Sequence, residues 1–355
     1  MVPVGGQGAR SESGMPVVWR LSERDWQAVL KEWNYPAYYG QVIWKWLWEK
    51  GITDPTAYTD LPKALREKLL ASYSWPFPRL LASAESRDGT RKFLWEMPAS
   101  GQVESVWIPK DNRATLCISS QIGCSLNCRF CATGQLGLER NLHDYEIYLQ
   151  YHAVRHGLGL PITNIVYMGM GEPLLNFSAV VGSLGFLTRG AGLSSRRITI
   201  STVGIPKGIR RLADYPMRFE LAVSLHSAIE EKRRALIPLA EHISLAELRE
   251  ALGYYCQKRR DWITIEYVLL EGVNDGAEDV AALRAFVAPP IAAKVNLIEY
   301  NWVPGFSFRP SRQMVAFREA LLRVGLIATI RRSRGSDVAA ACGQLARQYG
   351  LEKSN

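Results

Sequence analysis

Residues 114–131 read Ala114-Thr-Leu-Cys117-Ile-Ser-Ser-Gln-Ile-Gly-Cys124-Ser-Leu-Asn-Cys128-Arg-Phe-Cys131. An apolar, strand-like run over 114–119 leads into a loop with a C-x-x-x-C-x-x-C pattern. Three thiolates from one short loop can bind three irons of a cubane cluster and leave the fourth iron open to a substrate or cofactor. The stretch therefore predicts a strand followed by a 4Fe–4S centre whose ligands are Cys124, Cys128 and Cys131.

A structural zinc ion is the alternative for the same cysteines. Such a site needs a fourth ligand, for which Cys117 and His143 are the candidates. A zinc ribbon normally supplies a second C-x-x-C pair, and the sequence contains none. In this interpretation the chain is a non-catalytic, zinc-containing RNA-binding protein, which is colourless and needs no reductant.

Strand-like and helical segments alternate from residue 114 onward, which is typical of a parallel α/β sheet. Polar residues follow nearly every strand, among them Glu172, Ser201, Ser224, His226 and Asn301. Barrel enzymes collect their catalytic groups from several strand ends in this way. The predicted fold is therefore a partial TIM-like (β/α) barrel, with strands over 114–119, 163–168, 197–201, 219–224, 264–269, 294–299 and 329–332.

The chain before the barrel is organised differently. Ser22 and Asp25 form a capping-box pattern ahead of apolar residues at helical spacing. Nine of the eleven tryptophans fall before residue 110, and we expect them to anchor the hydrophobic core of this region. Asp88-Gly89 and Ser100-Gly101 lie between alternating runs that predict hairpins. We therefore expect a disordered tail (1–18), a small helical module (19–78), a short antiparallel β patch (79–112) and the barrel (113–348).

The overall charge favours polyanionic partners. Lysine and arginine total 43 against 34 acidic residues, which gives a formal charge of +9. No apolar run approaches the roughly 18 residues of a membrane span, and no signal-peptide pattern opens the chain, so we expect a cytoplasmic protein with no membrane partner. The basic clusters proposed to face RNA phosphates are Arg196-Arg197, Arg210-Arg211, Lys232-Arg-Arg234, Lys258-Arg-Arg260 and Arg331-Arg332 with Arg334.

The cysteine spacing, with Phe130 before the third cysteine, resembles the radical S-adenosylmethionine (SAM) superfamily. Four longer motifs narrow the likeness: the 114–124 segment, Gly169-Met-Gly-Glu172-Pro-Leu-Leu-Asn176, Ala222-Val-Ser-Leu-His226 and Gly335-Ser-Asp-Val-Ala-Ala-Ala-Cys342-Gly-Gln-Leu. Together they resemble the RlmN/Cfr-like RNA adenine methyltransferases from about residue 20 to residue 348. The resemblance implies two cofactors, a 4Fe–4S cluster and SAM.

The resemblance also implies roles for three catalytic residues. Cys342 would accept a methyl group from one SAM and become S-methylcysteine. A second SAM, cleaved at the cluster, would then generate a methylene radical on this methyl group, and the radical would add to adenine. Cys117 would resolve the resulting RNA adduct through a transient disulfide with Cys342. Glu104 matches the proposed proton acceptor.

For SAM binding, the family match points to residues at the predicted strand ends. Glu172 could accept a hydrogen bond from the SAM ammonium, and Ser201 and Asn301 could bind its carboxylate or ribose. The expected set is Gly171, Glu172, Ser201, Ser224, Leu225, His226 and Asn301.

The predicted function is therefore methylation of C2 of an adenine in 23S rRNA, with a tRNA adenine as a further candidate. Methylation of C8, the antibiotic-resistance activity, is the alternative within the family. The resemblance implies a flavodoxin or ferredoxin as electron donor, and a monomer is the default oligomeric state.

Overall fold

The computed structural model of the chain describes residues 14–346. Residues 1–13 of the expected tail lie outside this range, but Val17 and Val18 are buried, so the tail prediction extended too far. The amide of Val18 donates to the carbonyl of Ser74 at 3.1 Å, and the amide of Ser74 donates to the carbonyl of Pro16 at 3.0 Å. These bonds and the burial of two valines fix a segment whose sequence lacks periodicity.

The helical module begins at the predicted cap. The side chain of Ser22 accepts from the amide of Asp25, whose carboxylate accepts from the amide of Ser22, so both halves of the capping box are present. Trp19, Trp26 and Trp48 are fully buried, which confirms these tryptophans as core anchors. The helices are α1 (Glu23–Glu32), α2 (Tyr39–Trp44, continued by a π-helical turn, Lys45–Glu49) and α3 (Lys63–Ser72).

Aromatic packing joins this module to the rest of the molecule. The ring of Trp48 lies 4.8 Å from that of Tyr148 and 5.5 Å from that of Phe186, centroid to centroid. Arg20 adds an ion pair with Asp144 at 2.9 Å. The module and the barrel therefore share one hydrophobic core.

One sheet of ten strands dominates the described residues. The first four strands in its order pair antiparallel, and all later pairs are parallel. The predicted β patch thus continues directly into the barrel sheet. In sheet order the strands are β1 (Arg79–Glu85), β2 (Arg91–Glu96), β3 (Gln102–Lys110), β4 (Arg113–Cys117), β7 (Asn164–Tyr167), β8 (Ile198–Thr202), β9 (Glu220–Ser224), β10 (Ile263–Leu269), β11 (Ala293–Glu299) and β12 (Ile327–Arg331).

Helices connect the parallel strands, as in βαβ units. Every predicted barrel strand is present within two residues of its expected bounds, and the α/β class of a partial barrel is confirmed. A separate pair, β5 (Gln121–Gly123) with β6 (Leu138–Asn141), flanks the cysteine loop. The helices are α4 (Ala132–Gln135), α5 (Asp144–His152), α6 (Phe177–Gly185), α7 (Pro206–Asp214), α8 (Glu230–Leu236), α9 (Leu245–Arg259), α10 (Ala277–Phe286) and α11 (Met314–Arg323). None of the described helices is long and apolar enough to span a membrane.

Candidate active site

The three cysteines of the C-x-x-x-C-x-x-C pattern lie in the loop between β5 and α4. The amide of Cys124 donates to the carbonyl of Gly137 at 2.8 Å, and the amide of Cys131 donates to the carbonyl of Cys128 at 3.1 Å. These bonds fold the loop so that all three cysteines line one cavity at the carboxyl ends of the parallel strands. The volume of this cavity is about 170 Å³.

Burial controls the protonation of the three cysteine thiols. Burial raises the pKa of Cys124 to about 11 and also raises the pKa of Cys128 and Cys131. Such thiols keep their protons at neutral pH unless a metal replaces them. Three soft sulfur donors from one short loop fit a 4Fe–4S cluster, in which each thiolate binds its own iron.

The zinc alternative fits these positions less well. Its candidate fourth ligands were Cys117 and His143, and neither is among the described residues that line the cavity. His143 instead stacks on Tyr145, with ring centroids 5.4 Å apart. Within residues 14–346, no three His, Cys, Asp or Glu side chains are arranged to hold a single metal ion.

The predicted SAM-binding residues mostly meet at the same cavity. They come from the ends of four strands, β7, β8, β9 and β11, or from the loops that follow them, which is the arrangement expected of a barrel enzyme. The predicted residues on the cavity wall are Gly171, Glu172, Ser201, Ser224, His226 and Asn301. Leu225 is fully buried, and its amide donates to the carbonyl of Glu266 at 3.0 Å, so its side chain belongs to the packing behind the wall.

Glu172 is a buried carboxylate whose two oxygens are held by backbone amides. Oε1 accepts from the amide of Leu174 at 2.9 Å, and Oε2 accepts from the amide of Val203 at 2.8 Å. Burial nevertheless dominates and raises the pKa of Glu172 to about 7. A hydrogen-bond donor or a cation placed in the cavity would therefore stabilise the ionised form of Glu172.

Gly171 has a backbone conformation that other residues rarely adopt. Its φ is +95°, and a Cβ atom there would lie 2.5 Å from Cβ of Gln121. The side chain of Gln121 is fixed because its Oε1 accepts from the amide of Glu172 at 2.7 Å. Glycine thus lets the 169–172 loop approach β5 closely enough to hold Glu172 in place.

We expect Gly171→Ala to destabilise the protein by about 1–3 kcal/mol, since it combines backbone strain with overpacking. Gly192→Ala is the matched control, because Gly192 also has a positive φ (+67°) but a Cβ atom there would have open space around it, with nothing within 4 Å. Urea unfolding of the two variants measures the difference. Equal losses of unfolding free energy would contradict the close approach to Gln121.

His226 lines the cavity as a neutral imidazole. Its Nδ1 accepts from the amide of Val268 at 3.0 Å, and burial lowers its pKa to about 3. The proton of the neutral ring therefore lies on Nε2. The ring of Phe130 packs edge-on against it at 4.7 Å between centroids, which connects His226 to the cysteine loop.

Cys342 enters the cavity from a loop after β12. The carbonyl of Cys342 accepts from Nδ2 of Asn301 at 3.2 Å, and the carbonyl of Gly343 accepts from the amide of Ala132 at 2.7 Å. The hydroxyl of Thr133 donates to the carbonyl of Leu345 at 2.6 Å, across 212 residues of sequence. The loop is therefore bonded directly to the segment that follows the third cysteine, Cys131.

Arg331 was missed as a site residue. The sequence placed it in an RNA-facing basic cluster, but it lines the cavity, where attraction to Cys342 and then Glu266 raises its pKa. Burial raises the pKa of Cys117 to about 12, with Cys342 adding to the rise and Arg331 opposing it. Cys117 therefore lies behind the cavity wall in β4, within electrostatic reach of Cys342.

Glu104 lies on β3, outside the residues that line this cavity, and is fully buried. Its Oε1 forms an ion pair with Nζ of Lys92 at 3.0 Å, and its Oε2 accepts from the amide of Ala346 at 2.9 Å. No sequence pattern pointed to Lys92, because its contact with Glu104 depends on the pairing of β2 with β3.

The expected RNA-facing clusters are also smaller than predicted, because several of their members have protein partners. Arg210 pairs with Glu250 at 2.7 Å, and Lys232 pairs with Asp279 at 2.6 Å. The exposed members of these clusters are Arg196, Arg197, Arg211, Arg234, Lys258, Arg260 and Arg332.

Comparison with known proteins agrees with this arrangement. Residues 118–284 match the radical SAM superfamily model. The chain is 42% identical to a probable dual-specificity RNA methyltransferase RlmN of Flavobacterium johnsoniae, over 88% of this chain and 92% of the relative. It is 44% identical to the protein of that name from Thermus thermophilus, over 85% of this chain and 86% of the relative.

A solved structure is also similar. A radical SAM methyltransferase from Sphaerobacter thermophilus superposes with a TM-score of 0.88 and 35% identity, covering 94% of this chain and 99% of that one. The radical SAM superfamily uses a 4Fe–4S cluster and SAM. With identities of this size over most of both chains, this chain belongs to the RlmN family of radical SAM RNA methyltransferases.

Proposed function

We propose that the protein methylates C2 of an adenine in 23S rRNA and accepts a tRNA adenine as a second substrate. The observation that carries this proposal is the joining of the cysteine loop to the Cys342 loop. The bond from the amide of Ala132 to the carbonyl of Gly343, at 2.7 Å, brings a nucleophilic thiol to the cavity that three cluster-type cysteines line.

The residues on the cavity wall support a proposed position for each cofactor group. Cys124, Cys128 and Cys131 would hold the cluster, and Glu172 would accept from the amino group of SAM. Ser201 and Asn301 are placed on the wall for its carboxylate or ribose hydroxyls. When bound, the cluster would supply the electron that cleaves SAM into methionine and a 5′-deoxyadenosyl radical.

Cys342 first acts as a nucleophile in this proposal. Its sulfur bonds to the methyl carbon of SAM as the methyl–sulfonium bond breaks, S-adenosylhomocysteine leaves and the thiol proton passes to solvent. The guanidinium of Arg331 attracts the negative charge that develops on the attacking sulfur. A radical route is then needed because C2 of adenine is not nucleophilic enough to attack a sulfonium methyl directly.

Two further residues complete the transfer. Glu104 accepts the proton that leaves C2, and the one electron that the radical adduct must also lose would return to the cluster. Cys117 then bonds to the sulfur of Cys342 as the carbon–sulfur bond of the RNA adduct breaks. The electron pair of that bond goes to the methyl carbon, which takes up a proton, and a disulfide remains. The electrostatic coupling of Cys117 to Cys342 supports this pairing.

The partners follow from the family resemblance and from charge. We propose a flavodoxin or ferredoxin as the electron donor, a monomeric state and a cytoplasmic location. The formal charge of +9 suits both a polyanionic RNA substrate and an acidic electron carrier.

Mass spectrometry of nucleosides from 23S RNA and tRNA tests the proposal. In a strain without the gene, 2-methyladenosine should be absent, and restoring the gene should return it in both RNAs. If 8-methyladenosine follows the gene instead, the C8 alternative is correct. If neither nucleoside follows the gene, adenine is not the substrate. Iron and sulfide in the purified protein, without stoichiometric zinc, provide the independent check on the cluster.

A further inference from the structure

Arg233, on α8, is a cation that the fold removes from solvent. The residue is 2% exposed, and it is not among the residues that line the SAM cavity. Among the described residues, no carboxylate forms an ion pair with it. A buried charge is costly unless it is paired and hydrogen-bonded, so the contacts of this guanidinium show what offsets the cost.

Three backbone carbonyls at the ends of two strands hold the guanidinium. Nη2 donates to the carbonyl of Val203, after β8, at 2.6 Å. Nη1 donates to the carbonyls of Ser224, at 3.4 Å, and Leu225, at the end of β9. The amide of Val203 donates in turn to the carboxylate of Glu172 at 2.8 Å. These bonds fix Arg233 directly behind the wall that carries the predicted SAM-binding residues.

The same helix packs against the cysteine loop. The amide of Arg129, between Cys128 and Cys131, donates to the carbonyl of Leu236 at 3.0 Å. Leu236 and Cys128 also belong to one cluster of buried apolar residues. Arg233 precedes Leu236 by three positions, which places the two on neighbouring parts of one helix face. The packing of α8 therefore brings Arg233 to the part of the cysteine loop that contains Cys128.

Electrostatics identify Cys128 as the main anionic partner of the guanidinium. Burial lowers the pKa of Arg233 to about 10, and attraction to Cys128, which exceeds attraction to Glu230, opposes this shift. The guanidinium is therefore still cationic at neutral pH. Its Nε is buried and has no hydrogen-bond partner among the described residues, and a buried donor of this kind needs an acceptor. A cluster held by thiolates would supply both negative charge and sulfur acceptors.

We propose that Arg233 is the buried counter-charge of the 4Fe–4S cluster and raises its reduction potential. Reduction adds one electron, and therefore one negative charge, to the cluster, and the reduced flavodoxin or ferredoxin that supplies this electron becomes oxidised. A nearby cation stabilises the more negative, reduced form more than the oxidised form. This inference rests on the proposed function, because it takes Cys124, Cys128 and Cys131 as the cluster ligands.

The test compares wild type with Arg233→Gln, Arg233→Lys and Arg234→Gln, each reconstituted with iron and sulfide. Glutamine keeps a donor for the carbonyls but removes the charge, whereas lysine keeps the charge. Arg234 is the matched control, because it is the next residue of α8 and its loss changes the net charge equally, but it is exposed. Electron paramagnetic resonance of the reduced cluster at a series of fixed potentials, without SAM or RNA, measures the reduced fraction. Iron and sulfide per chain are measured on the same samples.

For Arg233→Gln we expect the ratio of reduced to oxidised cluster at a fixed potential to fall about tenfold. This fall corresponds to a potential that is about 59 mV lower for a one-electron couple. Arg233→Lys should stay within about threefold of the wild-type ratio, because the cation is retained. Arg234→Gln should also stay within about threefold, because water and salt screen an exposed charge.

Two results would contradict the inference. One is an Arg233→Gln protein with full iron content and the wild-type potential. The other is a decrease for Arg233→Lys as large as that for Arg233→Gln, since loop geometry rather than charge would then set the potential. If Arg233→Gln retains no iron, full iron content in Arg233→Lys supports the inference, and equal loss from both variants overturns it.

Failure of the proposed function gives a different result. If the three cysteines do not hold the cluster, wild-type protein binds no stoichiometric iron and sulfide. If RNA adenine is not the substrate, the nucleoside analysis shows it, and the potentials measured without RNA are unaffected.

Discussion

Cys342→Ala is expected to abolish RNA methylation, with a loss of about 10³-fold or more, because removal of a covalent nucleophile eliminates the route that depends on it. Cys342 is bonded through its carbonyl to Asn301 on the cavity wall. The other cysteines that line the cavity among the described residues are the three cluster-type ligands, so none can replace it without losing the cluster. Alanine removes only the sulfur and leaves the loop backbone to dock as before.

The measurement is 2-methyladenosine formed on unmodified 23S RNA by reconstituted protein. Cys256→Ala is the matched control: Cys256 is buried in α9, with its sulfur 3.8 Å from the carbonyl of Ala292, and does not line the cavity. We expect the activity of this control to stay within about threefold of wild type, because the substitution removes only packing contacts of the Cys256 sulfur. Retention of a tenth or more of wild-type activity by Cys342→Ala would refute the S-methylcysteine route.

Glu172→Gln is expected to weaken SAM binding by about 10–100-fold, since a hydrogen bond to a charged group contributes about 1.5–3 kcal/mol. The effect should depend on pH. Burial raises the pKa of Glu172 to about 7, so above pH 8 the carboxylate is ionised and binds fully. Below pH 7 it is protonated, and the ratio of wild-type to variant affinity should decrease toward one.

Equilibrium dialysis of SAM at pH 6, 7 and 8 measures this ratio. Glu299→Gln is the control, because Glu299 lines the same cavity and carries the same charge but is exposed. The pH dependence of SAM binding in this control should follow that of wild type. A constant ratio of wild-type to Glu172→Gln affinity from pH 6 to 8 would show that Glu172 does not ionise in this range.

The fold could be predicted because its signals are local. Strand positions follow from runs of apolar residues bounded by turn residues, and the helix start at Ser22 follows from a capping pattern of four residues. The continuation of the β patch into the barrel could not be predicted. The strand β3 pairs with β4 through a turn at residues 111–112. The sequence pattern of this pair is the same as that of an isolated hairpin, so it does not show that the sheet continues into the barrel.

The residues that line the cavity could be predicted where the spacing of a motif indicates one kind of site, and were missed where the same residue type can serve several purposes. Cysteines at this spacing indicate a cluster, whereas an arginine pair at a strand end can face either solvent or a cavity. Successive side chains of a strand point to opposite faces, and this alternation distinguishes the two arginines. Arg331, at the end of β12, lines the cavity, and the adjacent Arg332 is exposed. Lys92 had no such local signal, because its partner in the loop, Ala339, lies 247 residues away.

The bonds between the hairpins and the Cys342 loop also set the order in which the enzyme becomes complete as it emerges from the ribosome. The cysteine loop and Glu172 are translated early, whereas the contacts of Ser86 with Asp337 and of Glu104 with Ala346 span 251 and 242 residues. Contacts of such long range form last in folding. The bond from Thr133 to the carbonyl of Leu345 spans 212 residues, so the cavity wall beside the cysteine loop is completed only after translation has passed residue 345.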